Sequence, residues 1–424
     1  MGASIEEKSS AHSLGMVKRY STFPKRYRTM SKVIMIGCDL HDRNMLLKYA
    51  VGTCQPQQLT YDNDKAGRRR MIHRLKGIAE KHGADRIVFA YEASGLGYGL
   101  SDQLHDEGIE CHVLSPTHLP KTPKSAKQKT DPRDAQMLLE QVRGYVLAGN
   151  QLPIVWTPPQ RLRDDRELVR ARVDVADELT RVKLKIGSMF KRYELRLASP
   201  TKTKWTKAFV RYLRDEVVPT LDLAVGTTLK LLLVRFEVYL AERFELDKAL
   251  KKLSETERYK HASVQLRKLP GVGLLVAMTF LTEMGDLTRF HNRREIAAYL
   301  GLCPSSYESG QKDDRKGRIT RQGPARLRKV LCQAAWVSVN RCEEAAAAYH
   351  RIRQNQKQRT KKALVALMRK LGIKMWHVAL ASGVSDELTG RGGPHGGQAS
   401  AQAHQREVVV TFDSPSHQPL GCAG

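Results

Sequence analysis

Two short apolar runs, Val33–Ile36 and Ile87–Ala90, are each followed within three residues by a carboxylate, Asp39 and Glu92. Apolar runs of this length, bounded by turn-forming residues, behave as buried strands. Both acids therefore sit at strand ends. A carboxylate there needs a partner or an ion, because uncompensated charge leaves water only at high cost. Met45 to Val51 and Gln57 to Tyr61 read as further strands, Lys65 to His82 and Leu96 to Glu107 as helices, and Glu110 to Leu114 as a last strand. Strands first, then strands separated by helices, predict a mixed sheet with helices packed on it.

Asp131-Pro132-Arg133-Asp134 opens the next helix, expected to run to about Leu147. Asp131 suits the N-cap and Pro132 the first helical position. Two acids three apart at a helix start face the same way. If the strands of Asp39 and Glu92 are neighbours, both acids project from one sheet edge. Asp39, Glu92, Asp131 and Asp134 then form an oxygen-only donor set, without His or Cys, that suits magnesium or manganese. Two such ions can clamp the attacking and leaving oxygens of a phosphoryl displacement. Taken singly, each acid also fits a local role as cap, dipole partner or strand terminator. Lys121, Lys124, Lys127 and Lys129 precede Asp131 and place cations where a phosphate backbone would pass.

Beyond this region the pattern turns helical and the charge rises. From Pro159 to about Arg196, Lys202 to Val217 and Leu221 to Lys252 the sequence reads as long charged helices. They form either a helical hairpin or coiled coil, serving as spacer or dimerisation arm, or a plain bundle. Residues 261–382 carry 23 Lys and Arg against 8 acids, a net +15 of the chain's +28, whereas residues 31–150 carry only +3. Localised positive charge points to nucleic acid, since Lys and Arg contacts to phosphates release counterions. The sequence contains no apolar run of about 18 residues, so no transmembrane helix is expected. Nor is there a secretory h-region. Seven scattered cysteines without CxxC spacing fit reduced thiols and exclude a zinc or disulfide framework.

Within the basic segment, Leu269-Pro270-Gly271-Val272-Gly273 has the form of a helix-hairpin-helix turn, in which Gly271 and Gly273 would let the backbone approach a phosphate. An ordinary glycine turn is the alternative. A loop is expected from Cys303 to Ile319. It carries Ser309 beside Lys312, Arg315, Lys316 and Arg318, with Arg321, Arg326 and Arg328 following, and is suited to gripping a phosphate. Helices resume near Pro324 and run to Ala381. Residues 1–31 read as a disordered basic leader and 383–424 as a disordered tail.

Ile36-Gly37-Cys38-Asp39-Leu40-His41, Tyr91-Glu92-Ala93-Ser94-Gly95 and Lys129-Thr130-Asp131-Pro132-Arg133-Asp134-Ala135 resemble the DEDD motifs of the insertion-sequence family one-ten transposases, whose relatives include the Piv DNA invertases. The pattern Gly301-Leu302-Cys303-Pro304, Ser309-Gly310, a basic glycine loop and an alanine-rich helix resembles that family's C-terminal domain, with its conserved serine at Ser309. The likeness covers about residues 32–382. The chain departs from it at Glu308, where many relatives have a second serine, and at Pro324, where asparagine often follows the glycine.

The resemblance implies a RuvC/RNase-H-like catalytic domain over 32–150, a helical or coiled-coil spacer over 151–260, and a C-terminal helical transposase domain over 261–382. It implies a metal-binding tetrad of Asp39, Glu92, Asp131 and Asp134, with Ser309 as nucleophile. It also implies a homo-dimer or tetramer, DNA substrates, a structured guide RNA and a bacterial cytoplasmic, nucleoid-associated setting. Two rival functions are a RuvC-like junction nuclease using metal-activated water, and a non-catalytic nucleic-acid-binding scaffold.

Overall fold

The structure, a computed structural model, describes residues 32–120, 130–195, 203–309 and 312–383, with backbone alone for 306–309 and 312–316. The expected leader, the tail from residue 384, and Lys121, Lys124, Lys127 and Lys129 lie outside the described residues. The chain divides into two compact units, at Thr157 and Pro158. No described helix is long and apolar enough to cross a membrane, and every described cysteine is free.

The first unit is a five-stranded mixed sheet with helices on both faces, consistent with a RuvC-like domain. Strands β1 (Lys32–Leu40), β2 (Asn44–Val51) and β3 (Gln57–Asp62) form an antiparallel meander. Helix α1 (Lys65–His82) then crosses to β4 (Ala84–Glu92), and α2 (Gly99–Asp106) crosses to β5 (Glu110–Leu114). Both later strands run parallel, giving the order β3-β2-β1-β4-β5. Crossover helices are what allow adjacent strands to be parallel. Asp64 caps α1 by accepting from the Gly67 amide at 2.6 Å, and Gly83 ends it in the left-handed conformation. Leu96 lies before the second helix, which begins three residues later at Gly99.

Alternation along β1 sorts the core into two layers. Ile34, Ile36 and Cys38 pack with Met71, Leu75, Leu100 and Leu104 under α1 and α2. Val33 and Met35 face the other way, onto Leu138, Leu139 and Val142 of helix α3 (Asp131–Ala148). Gly37 shares the α3 face. A Cβ there would lie 2.2 Å from the Leu139 nitrogen and 2.3 Å from the Ala135 carbonyl oxygen, so the helix backbone rests directly on the strand. Neither atom belongs to a movable side chain. Gly37→Ala is therefore expected to cost about 3 kcal/mol and displace α3. Urea unfolding measures the cost, and an unchanged midpoint would refute the close contact.

The described residues of the second unit are helical apart from one hairpin. Helices α4 (Gln160–Arg192) and α6 (Leu223–Ser254) pack antiparallel. Arg172 pairs with Asp247 towards one end, while Leu179, Val182, Ile186 and Met189 meet Leu229, Leu233 and Phe236 at the other. The expected helix over Lys202–Val217 is shorter: α5 (Lys207–Tyr212) passes into a π turn, Leu213–Val217. The rest comprises α7 (Lys260–Arg267), α8 (Leu274–Met284), α9 (Arg293–Tyr299), α10 (Ala325–Arg341), α11 (Glu343–Arg353) and α12 (Thr360–Ala381).

The loop expected over Cys303–Ile319 is instead an antiparallel hairpin of β6 (Pro304–Ser309) and β7 (Lys312–Ile319). Its Lys-Asp-Asp-Arg-Lys-Gly-Arg strand has no apolar alternation from which a strand could be read. Backbone pairing holds it.

Buried ion pairs tie several helices of this unit together. Asp165 is only 9% exposed and accepts from the Tyr259 hydroxyl at 2.8 Å and from Arg258 at 3.1 Å. Arg170 grips Glu283 at 2.8 and 3.1 Å, while Arg166 donates to the Thr282 and Glu283 carbonyls. These contacts tie α4 to α8 and to the segment around α7. Asp165→Ala leaves a buried guanidinium and phenol without their acceptor and is expected to destabilise by about 3 kcal/mol. Tyr259→Phe removes one hydrogen bond and should cost about 1 kcal/mol. Denaturant unfolding of the two variants and their double mutant gives the coupling. Equal, small losses would show that the aspartate carries no special load.

Candidate metal centre and basic hairpin

The sheet brings Asp39 and Glu92 to one edge. β1 and β4 are parallel neighbours whose last registered pair is Cys38 with Tyr91, so Asp39 and Glu92 follow side by side. By alternation Asp39 shares the face of Val33 and Met35, and Glu92 that of Val88 and Ala90, which is the α3 face.

Helix α3 supplies the other two acids from its first turn. The N-cap is Thr130, not Asp131 as the sequence suggests. The Thr130 carbonyl accepts from the Arg133 and Asp134 amides at 2.9 and 3.2 Å, so the helix begins with Asp131 and Pro132 inside it. Relieved of capping, the Asp131 carboxylate reaches into the centre. Its negative charge, with that of Asp134, also suits the positive end of the helix dipole.

The group that converges is Asp39, His41 and Asp131, each offering one ligand atom within 4.8 Å of the others. His41 Nε2 lies 3.0 Å from Asp39 Oδ2 and 3.5 Å from Asp131 Oδ1. The expected donor set contained no histidine, so His41 is an addition that sequence reasoning missed. Its signal was available: in an extended segment, residues two apart lie on one face, and His41 stands two after Asp39. Asp134 is near enough to act on Asp39 electrostatically, whereas Glu92, exposed at the end of the neighbouring strand, lies outside the three-residue group.

Burial raises the Asp39 carboxyl above its ordinary range. His41 pulls it down by charge and hydrogen bond, and the negative charges of Asp131 and Asp134 push it up again. Carboxylates forced together in this way are held apart in energy until a cation joins them. The residues present thus fit a divalent cation: carboxylate oxygens from two elements with an imidazole beside them, and mutual repulsion that positive charge relieves.

In the second unit, residues expected to touch phosphate have varied surroundings. Arg326 is bound bidentately by Asp174, at 2.9 and 2.6 Å, and Arg328 donates to the Gly323 carbonyl at 2.8 Å. Both guanidinium groups therefore help to hold α10 in place. Gly271 adopts φ +80°, and a Cβ there would lie 2.2 Å from the Ala334 carbonyl oxygen, so this glycine lets the turn pack on α10. Gly273 stands before α8 with open space around it. Arg318 and Arg321 are exposed at the base of the hairpin. Ser309 pairs with Lys312 through the backbone at its far end. The side chains of Ser309, Lys312, Arg315 and Lys316 lie outside the described residues.

Comparison with known families finds a match in each unit. A transposase profile of the DEDD IS110 type matches residues 50–194, and the profile described as Transposase IS116/IS110/IS902 family matches residues 264–351. The chain carries domains of the IS110/IS116/IS902 transposase family. It is similar to the putative transposase y4qE of Sinorhizobium fredii, 30% identical over 275 residues, covering 64% of this chain and 62% of that protein. It is also similar to the transposase for insertion sequence element IS1533 of Leptospira borgpetersenii, 24% identical over 312 residues, covering 72% and 86% of the two chains. Over 117 residues it is 32% identical to the pilin gene-inverting protein of Moraxella bovis, covering 27% and 36%. The DEDD profile begins after β1, so Asp39 is tied to the centre by the sheet register and its approach to Asp131. DEDD transposases imply use of a divalent metal, and the carboxylate cluster is where this chain could hold it.

Proposed function

We propose that this protein is a DNA transposase of an insertion sequence, cutting and rejoining strands by metal-assisted serine transesterification. The observation that carries the reading is the meeting of Asp39 and Asp131 at one sheet edge in a chain of a transposase family. In this reading Asp39, Glu92, Asp131 and Asp134 hold two magnesium or manganese ions. When bound, such ions withdraw charge from the scissile phosphate and favour the deprotonated form of an attacking hydroxyl.

Ser309 presents its Oγ as that nucleophile. Its bond to phosphorus forms as the bond from phosphorus to the departing DNA oxygen breaks, and that oxygen takes up a proton. The protein–DNA phosphoester keeps the bond energy for rejoining, when a DNA hydroxyl attacks and Ser309 leaves. Lys312, Arg315, Lys316, Arg318 and Arg321 contact the phosphate backbone, as do Lys127 and Lys129, which precede Asp131 in the sequence.

Residues 32–150, 151–260 and 261–382 act in this scheme as catalytic domain, coiled-coil assembly arm and serine-bearing domain with a helix-hairpin-helix turn. The working form is a homo-dimer or tetramer in the bacterial cytoplasm, bound to the nucleoid and guided by a structured RNA that pairs with donor and target.

The test is to incubate the full chain with element-end DNA, RNA from the flanking non-coding segment and magnesium, and then denature. A covalent protein–DNA species whose phosphopeptide maps to Ser309 is expected. Cleaved DNA without such a species would replace the serine mechanism with hydrolysis by activated water.

A further inference from the structure

We propose that His41 is an inner ligand of the metal at this centre and biases the site towards manganese over magnesium. The inference rests on the metal-site reading above and adds to it a residue and a preference.

The distances support ligation. Two donors on adjacent corners of an octahedral ion, each at about 2.1–2.2 Å, are separated by about 3.0 Å. His41 Nε2 stands 3.0 Å from Asp39 Oδ2 and 3.5 Å from Asp131 Oδ1. One ion can therefore touch all three atoms with small side-chain adjustments.

The backbone of His41 is fixed for this purpose. Its amide donates to the Asn44 carbonyl at 2.9 Å, closing the β1–β2 turn. Its carbonyl accepts from the Asn63 side-chain amide at 2.7 Å, and Asn63 is oriented by Arg68, which donates to its Oδ1 at 2.8 Å. The ring itself is 44% exposed, so an ion can enter from solvent without unfolding the turn. A histidine that served only as counter-ion to Asp39 would not need to lie within reach of Asp131 as well.

The preference follows from donor chemistry. Magnesium takes oxygen donors and retains its water, whereas imidazole nitrogen is accepted more readily by transition ions. A centre with one nitrogen and two carboxylate oxygens shifts selectivity towards manganese.

The test uses the full-length protein and manganese as probe, with electron spin-echo spectroscopy as readout. Bound manganese in the wild type should show nitrogen-14 modulation from a directly bonded imidazole, and His41→Ala should lose it. The same substitution should weaken manganese binding by about tenfold or more, at least the loss seen when a ligand's supporting partner is removed. It should leave magnesium binding less affected, so that less magnesium is needed to displace manganese. Manganese bound without nitrogen modulation, or with modulation that survives His41→Ala, would overturn ligation by His41 while leaving the carboxylate site standing. Failure of the wild type to bind manganese at all would overturn both this proposal and the metal-site reading.

Discussion

Asp39→Asn should lower DNA strand cleavage by about a thousandfold or more, equivalent to about 4 kcal/mol of lost transition-state stabilisation. The substitution keeps the shape of the side chain and removes the charge that would bind a cation. It should not unfold the sheet. Asp39 is pushed upward by burial and by Asp131 and Asp134, so an amide there relieves repulsion in the metal-free protein. Its melting temperature without metal should equal or exceed that of the wild type, while the stabilisation gained on adding manganese should disappear. Asp131→Asn should behave alike, because its Oδ1 belongs to the same three-residue group. The pair of readouts separates a missing metal site from a misfolded one. Cleavage within about tenfold of wild type in both variants would remove the carboxylate cluster from the mechanism.

Ser309→Ala carries the second large expectation: loss of the covalent protein–DNA species and a fall in strand joining of about a thousandfold or more. Metal binding at Asp39 and Asp131 should be unchanged, since the serine lies on the hairpin of the other compact unit. The two variants are thus predicted to fail differently. One loses the ion and with it all phosphoryl chemistry, and the other keeps the ion and loses the nucleophile. Undiminished cleavage in Ser309→Ala would favour the nuclease reading.

The elements that the sequence announced are those in which burial and periodicity agree. Val33–Cys38 is buried on both faces, and such a strand reads as a continuous apolar run. Helix α3 carries its acids in the first turn and Gly149 as a left-handed stop, both local signals. The basic hairpin failed to announce itself for the opposite reason. Its first strand is mostly small and polar, its second is rich in charge, and both are defined by cross-strand pairing, which leaves no periodic trace in sequence. Thr130 displaced Asp131 from the capping position because the choice of first residue depends on where the chain enters the helix. Composition alone could not tell that Arg326 and Arg328 are engaged by Asp174 and Gly323, since their partners are distant in sequence.

By itself the sequence determined the family resemblance, the mixed sheet, four candidate acids and the concentration of positive charge in residues 261–382. Each follows from local pattern or from counting. Only the tertiary structure decided which acids meet, that His41 joins them, and why position 37 is a glycine. The physical reason is that a metal centre depends on ångström-scale approach between elements far apart in the chain. That approach is set by strand register and by the direct seating of α3 on β1, neither of which is encoded in any one segment.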